Sequence, residues 1–150
     1  MRILLGIDDS PHSREALDYV RRSTWPKGTR VLVLSVARPV VAAYAEVYAP
    51  AAPYADQVWQ DTLQFHQEIA AEAERSLRES GFETEARVLQ GDPRTALVEV
   101  AKVENIDLVV VGSHGRSGVA KLLMGSVASH VVTHAPCNVL VVKVHPDRLM

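Results

Sequence analysis

Apolar residues fall along this chain in two alternating patterns, short dense runs and longer stretches with a helical period. Five segments rich in Val, Leu and Ile are predicted as strands: Arg2 to Ile7, Arg30 to Val36, Glu83 to Gln90, Asp107 to Gly112 and Asn138 to Val144. Three of them are nearly continuous apolar runs, which is typical of strands covered on both faces.

The stretches between the strands carry the apolar spacing and end signals of helices. Ser10 before Pro11 predicts the start of the first helix, and Asp92 before Pro93 predicts the start of the third. The second and fourth helices are predicted from about Gln57 to Ser80 and from near Ser126 to Pro136. Strands that alternate with helices are joined by right-handed crossovers. The predicted fold class is therefore an open α/β sandwich around a parallel sheet.

One segment, Pro39 to Asp56, is rich in Ala, Tyr and Pro and shows no sustained period. We interpret it as a long loop. It is either an insertion without a ligand role, which we favour, or a flap beside a ligand. No repeat or domain boundary is evident, so residues 1–150 are expected to form one domain.

Composition narrows the classes of function. The 150 residues carry a net charge of −2, which gives no basic surface for nucleic acid. No apolar run approaches the roughly 18 residues needed to span a membrane, and the first apolar run is too short for a secretory signal. A single cysteine, Cys137, is compatible with a reducing compartment. We expect a cytoplasmic protein without nucleic-acid or membrane partners.

Glycine is concentrated after the fourth predicted strand. Four of the eight glycines, at positions 112, 115, 118 and 125, occupy this stretch, and Ser126 follows the last. Ligands of parallel α/β sheets bind at the carboxyl ends of the strands, and glycine lets backbone N–H groups approach an anion near a helix N-terminus. The pattern predicts a phosphate site. The alternative is that these glycines serve only turns and caps.

The common nucleotide signatures are absent from the sequence. It contains no G-x-x-x-x-G-K-[ST] and no G-x-G-x-x-G after the first strand. A conventional P-loop ATPase and a conventional dinucleotide-dependent dehydrogenase are therefore disfavoured.

Three segments together resemble the universal stress protein family. They are "ILLGIDDSPHSREAL" at the start, "GDPRTALVEVAKVENIDLVVVG" in the middle and "GSHGRSGVAKLLMGSVASHVVTHAPCNVLVV" near the end. The resemblance covers nearly the whole chain except Pro39 to Asp56. It implies an adenine nucleotide alpha-hydrolase-like fold, with a five-stranded parallel sheet in the order 3-2-1-4-5 and helices on both faces. Because the glycine motif is intact, it also implies the branch that binds ATP, with Mg²⁺.

The resemblance further implies a role for individual residues. The phosphates and ribose would be held by Gly112, Gly115, Gly125, Ser126 and the backbone of Val127. The nucleoside would meet Asp8, the main chain of Val36, and a lining of Gly6, Ile7 and Val111. His114 and Arg116 lie within the glycine motif, where they either touch phosphates or face water.

The remaining polar residues leave alternatives open. Asp8 and Asp9 are one candidate pair for Mg²⁺, but we favour a ribose contact for Asp8 and a capping or solvated role for Asp9. His130 and His134 have a spacing that suits zinc, yet no third ligand accompanies them, and we favour an exposed pair.

The last predicted strand, Asn138 to Val144, is an apolar edge strand that invites pairing with a second chain. The family resemblance also implies a homodimer across this strand. We predict a regulatory stress-response module that binds ATP and hydrolyses it slowly at most. The alternative is an ATP-dependent adenylating or phosphotransfer enzyme on the same fold, but no recognisable catalytic constellation supports it.

Overall fold

A computed structural model of the chain describes residues 1–39, 52–115, 124–144 and 147. Five strands and four helices alternate along the described residues. The strands are β1 (Arg2–Ile7), β2 (Arg30–Ala37), β3 (Glu83–Gln90), β4 (Leu108–Gly112) and β5 (Asn138–Val142). The helices are α1 (Pro11–Arg22), α2 (Ala52–Glu79), α3 (Pro93–Val103) and α4 (Ser126–His134).

The five strands form one parallel sheet in the order β3-β2-β1-β4-β5. This confirms the predicted parallel sheet and its strand order. The central strand β1 pairs with β2 on one side, where Leu4 lies opposite Leu32, and with β4 on the other, where Leu4 lies opposite Val109. Strands β2 and β3 therefore lie on one side of β1, and strands β4 and β5 lie on the other. The direction in which strands are added reverses between β1 and β4, and this defines the point of divergence at the carboxyl edge of the sheet.

Side chains of successive strand residues point to opposite faces, and each face has its own apolar core. One core joins alternate strand residues to α1 and α2: Ile3, Leu5, Ile7, Val31, Val33 and Val110 with Ala16, Val20, Ala70, Ala73 and Leu77. The other joins the intervening residues to α3 and α4: Leu4, Leu32, Leu34, Val36, Val109 and Val111 with Leu97, Ala101, Ala128 and Val131. Helices on both faces, as predicted, explain why β1, β2 and β4 are nearly continuous apolar runs.

The helix starts follow the local signals. The Ser10 side chain accepts a hydrogen bond from the N–H of Ser13 at 3.1 Å, and Pro11 is the first residue of α1. Asp92 accepts from the N–H of Arg94 at 2.9 Å, with Pro93 first in α3. Each cap satisfies a donor that the helix itself leaves open.

Several predicted boundaries differ from the structure. The predicted loop from Pro39 to Asp56 is wrong in its last part, because α2 begins at Ala52; residues 40–51 lie outside the described residues. Helical period is hard to recognise there because Tyr54 and Val58 are 73% and 55% exposed rather than buried. Strand β2 continues to Ala37, β4 begins at Leu108 and β5 ends at Val142. Within the described part of the chain, no helix is both long and apolar enough to cross a membrane.

Candidate functional site

The carboxyl ends of the three central strands bring most of the predicted site residues to one edge of the sheet. Gly6 and Ile7 end β1, and Asp8 follows them directly. Val36 is the second-to-last residue of β2, while Val111 and Gly112 end β4. This is the place where the chain direction diverges, and open α/β sheets bind ligands at such a point.

The side chains near these strand ends divide between the two faces. Ile7 belongs to the core beneath α1 and α2, whereas Val36 and Val111 belong to the core beneath α3 and α4. A Cβ on Gly6 would lie 3.0 Å from a methyl group of Leu97 and 3.2 Å from one of Val111. Gly6 therefore allows α3 to pack closely against the end of β1.

Gly112 provides the closest packing at this edge. A Cβ at this position would lie 2.7 Å from the backbone carbonyl carbon of His12 and 2.8 Å from its oxygen. Real Cβ atoms do not approach backbone so closely, so only glycine lets the first turn of α1 rest on the end of β4. The residue that the sequence pattern associates with phosphate thus also has a packing function.

The loop between β1 and α1 holds Asp8 in a fixed orientation. Its Oδ1 accepts a hydrogen bond from the N–H of Ser10 at 2.9 Å, and its own N–H donates to Oγ of Ser13 at 2.9 Å. The other oxygen, Oδ2, lies 3.0 Å from the position that a Cβ on Gly115 would take. The carboxylate therefore borders the turn formed by residues 112–115, which we call the glycine turn.

The glycine turn is joined directly to the start of α4. The N–H of Gly125 donates to the carbonyl oxygen of Ser113 at 2.6 Å. A Cβ on Gly125 would lie 3.1 Å from Cα of His114 and 3.1 Å from that carbonyl oxygen. Gly125 is also the N-cap residue, and among the described residues no side chain makes a capping hydrogen bond to α4. Its first turn consequently presents backbone N–H groups beside the glycine turn.

Two functional candidates were missed by the sequence analysis, His12 and Ser113. Ser113 is only 2% exposed, and its Oγ lies 3.2 Å from Nδ1 of His12 and 3.1 Å from Nδ1 of His114. The two imidazole rings are 5.0 Å apart between centroids. We call these three residues the histidine cluster. Ser113 directly follows β4, and His12 lies in the first turn of α1, soon after the end of β1. The same position after a strand was the signal that identified Asp8 and His114 as candidates.

The pKa of His12 lies below the ordinary value for histidine. Burial is the main cause, because it disfavours the charged form, and repulsion from His114 adds to it. Asp8 acts in the opposite direction, since its negative charge favours a protonated imidazole. The neutral form of His12 is therefore favoured more than that of a solvent-exposed histidine.

The remaining predicted site residues differ in their exposure and position. Ser126 is exposed at the first position of α4, and Val127 beside it is half-buried. Arg116 lies outside the described residues, as does Gly118. His130 and His134 stack on α4 with centroids 4.1 Å apart. No group of three or more His, Cys, Asp or Glu side chains suited to a metal occurs among the residues that the structure describes.

Comparison with known proteins agrees with this architecture. The chain belongs to the universal stress protein family, whose model matches residues 1–143. It is similar to a universal stress protein of Thermus aquaticus, with 32% identity over 142 residues that cover 94% of this chain and 97% of the relative.

Two solved structures share the fold. The hypothetical protein MJ0577 of Methanocaldococcus jannaschii superposes with a TM-score of 0.83 at 24% identity, covering 97% of this chain and 96% of that one. A universal stress protein in complex with cAMP superposes with a TM-score of 0.63 at 26% identity, covering 95% and 96%. Both superpositions extend over nearly the whole chain, including the parallel five-stranded sheet described above.

Substitution of Gly112 tests the packing of α1 on β4. Gly112→Ala places a Cβ against the backbone of His12, which cannot rotate away, so we expect a loss of about 1 to 3 kcal/mol in the free energy of unfolding. Gly115→Ala is the matched control, because among the described residues its Cβ would meet Oδ2 of Asp8, the end of a side chain, rather than backbone. Urea denaturation measures both. Equal stability of the Gly112 variant and the wild type would contradict this account.

The lowered pKa of His12 predicts a dependence of stability on pH. Between the folded pKa and the ordinary value of 6.5, the unfolded chain binds more protons than the folded one. Stability is therefore lost as the pH falls through this window. His12→Asn keeps a polar group near Nδ1 and removes the titration, so we expect the variant to lose less stability than the wild type between about pH 8 and about pH 5.5. Parallel urea titrations at both pH values would refute the assignment if the two proteins declined equally.

Proposed function

We propose that this universal stress protein binds ATP at the carboxyl edge of its sheet, together with Mg²⁺ as the counter-ion of the triphosphate. The observation that carries the proposal is the meeting of two features at one place. The start of α4, with no side-chain cap, adjoins the glycine turn at the point where the sheet diverges. Backbone N–H groups without a capping side chain favour a phosphate there.

The phosphate side of the proposed site is built mainly from backbone. Gly112, Gly115, Gly125 and Ser126 would hold the phosphates and ribose, with the N–H of Val127 at the helix start. Support comes from the packing of Gly125 against Ser113 and His114, which leaves little room for a side chain between turn and helix. His114 and Arg116 would add contacts to the phosphates.

The nucleoside side of the proposed site follows β1 and β2. Asp8 would accept hydrogen bonds from the ribose, since hydroxyl groups are donors and a carboxylate is an acceptor. The main chain of Val36 would meet adenine, with Gly6, Ile7 and Val111 behind it. The bonds from Ser10 and Ser13 already fix the Asp8 loop, so little further ordering is required when a ligand binds.

A relative supports the ligand class. The solved universal stress protein that is 26% identical to this chain is a complex with cAMP, which contains adenine, ribose and phosphate. We propose ATP rather than a cyclic nucleotide because the complete glycine motif leads into an open helix start, which suits several phosphate oxygens. The protein would act as a cytoplasmic regulatory module of one domain, with slow hydrolysis at most.

Replacement of Ser126 isolates the backbone donor at the start of α4. Ser126→Pro removes one N–H at the helix position where proline is tolerated, and Gly125 already has the extended conformation that precedes proline, with φ −71° and ψ 165°. We expect at least about a tenfold loss of ATP affinity, since a hydrogen bond to a charged group is lost. Isothermal titration with ATP and Mg²⁺ measures the affinity.

The matched control is Ser126→Ala, which removes the hydroxyl but keeps the N–H. Adenosine serves as the ligand control, because it lacks phosphate and should bind the proline and alanine variants alike. Equal ATP affinity of these two variants would count against a phosphate at the helix start. Absence of ATP binding by the wild type would refute the proposed function itself.

We also propose that the protein forms a homodimer through β5. This strand lies at an edge of the sheet, and Val139, Leu140 and Val141 are only partly buried. The N–H of Ser113 donates to the carbonyl oxygen of Val142, so the backbone polar groups of Val142 face β4. Because strand residues alternate, those of Val139 and Val141 face the open edge, where a second β5 would pair with them.

Proline substitution at the open edge tests the dimer. Val141→Pro removes an outward N–H without breaking the ladder to β4, and we expect at least about a tenfold weaker dimer. Val88→Pro is the matched control on the other edge strand, because Gly91 donates to Ala37 and alternation directs Val88 outward. Sedimentation equilibrium gives the dissociation constants. A wild-type chain that stays monomeric at high concentration would overturn this proposal.

A further inference from the structure

The number of protons available limits how the hydrogen bonds of the histidine cluster can be arranged. The hydroxyl of Ser113 has one proton, so it donates to Nδ1 of only one imidazole. Nδ1 of the other imidazole must then carry a proton and donate to Oγ, because both rings lie within 3.2 Å of that oxygen through Nδ1. When the hydroxyl donates to one ring, the two neutral rings are different tautomers joined by one buried hydroxyl.

This arrangement takes up one proton more readily than two. A proton added at Nε2 of the ring that already donates from Nδ1 leaves both bonds to Ser113 in place. A second proton would have to displace the bond from the hydroxyl to the other Nδ1. It would also place two positive rings with centroids 5.0 Å apart. The cluster is thus a site for a single proton.

The cluster adjoins the proposed phosphate site. Ser113 accepts the hydrogen bond from Gly125, and Cα of His114 lies 3.1 Å from the position of a Cβ on Gly125. An anion bound at the start of α4 would lie next to this turn. Negative charge nearby stabilises a protonated imidazole, and by linkage a protonated imidazole stabilises the bound anion.

Charged groups of both signs surround the histidine cluster. His12 lies on α1, which packs on β1, β4 and β5. Asp8 and His114 are the groups whose charges act on it in the structure. Ionisable residues that adjoin the start of α1 or the end of β5 in the sequence are Asp9, Arg14, Glu15 and Lys143; Arg116 and Lys121 lie outside the described residues.

We propose that His12, Ser113 and His114 form a proton-coupled part of the phosphate site, which takes up one proton when a phosphate-bearing nucleotide binds. The inference rests on the proposed function and adds two residues, His12 and Ser113, to that site. It makes the protein bind its ligand more tightly as the pH falls. The lowered pKa of His12 in the free protein supports it, because a neutral imidazole is available to be charged.

The test counts protons directly. Isothermal titration of the full chain with cAMP, in buffers of different ionisation enthalpy near pH 7, gives the number of protons taken up per ligand. The phosphodiester of cAMP keeps a constant charge in this range, so protons taken up belong to the protein. We expect a clear fraction of one proton for the wild type, and an affinity that rises by at most about tenfold per pH unit on acidification.

The variants keep the hydrogen bonds while removing the titration. His12→Asn and His114→Asn each place an amide near the original Nδ1, and we expect proton uptake to fall toward zero in at least one of them. His134→Asn, on an exposed histidine of α4, is the matched control and should keep the wild-type uptake. Parallel titrations with ATP and with adenosine show whether the phosphate is required, and adenosine should take up no proton.

The possible results separate the two proposals. Binding of ATP or cAMP without proton uptake and with a flat pH profile would overturn the proton coupling and leave the proposed function standing. Undiminished uptake in both asparagine variants would also overturn it. Failure of ATP, cAMP and adenosine to bind at any pH would overturn both.

Discussion

The contact between the end of β4 and the first turn of α1 governs the geometry of this molecule's carboxyl edge. It exists because residue 112 has no side chain; a Cβ would lie 2.7 Å from the backbone of His12. Backbone against backbone is the closest approach that two elements can make, and it allows no rotameric adjustment. The described residues directly after β1 and β4 are therefore held close to this contact. The loop carrying Asp8 and the turn carrying Ser113 are placed by the same contact.

That contact also explains why polar side chains are buried at this edge. The approach of α1 brings His12 over Ser113, and burial of a hydroxyl or an imidazole is costly unless each polar atom has a partner. The hydrogen bonds that join Oγ of Ser113 to Nδ1 of each ring provide partners for these three atoms. Ser10 and Ser13 do the same for the Asp8 loop. The close packing of α1 at this edge thus depends on the hydrogen bonds that the buried polar atoms form with one another.

Much of the fold was predictable because its signals are local. The apolar runs of β1 and β2 and the caps Ser10 and Asp92 depend on neighbouring residues alone, and the structure confirms them. The start of α2 was not predictable, since Tyr54 is exposed and gives no apolar period. The bond between His12 and Ser113 joins residues 101 positions apart. Only the pairing of β1 with β4 brings them together, and no sequence spacing records it.

The start of α4 shows a different balance from the starts of α1 and α3. Those helices have Ser10 and Asp92 as caps, whereas α4 has Gly125, whose place against His114 admits no larger residue without movement. Glycine at an N-cap costs only a few tenths of a kcal/mol relative to the best residues. For this small cost the helix gains close packing on the glycine turn and keeps its N–H groups clear of a capping side chain. The dipole of this helix start favours negative charge, and the proton uptake that we propose for the histidine cluster would favour it further.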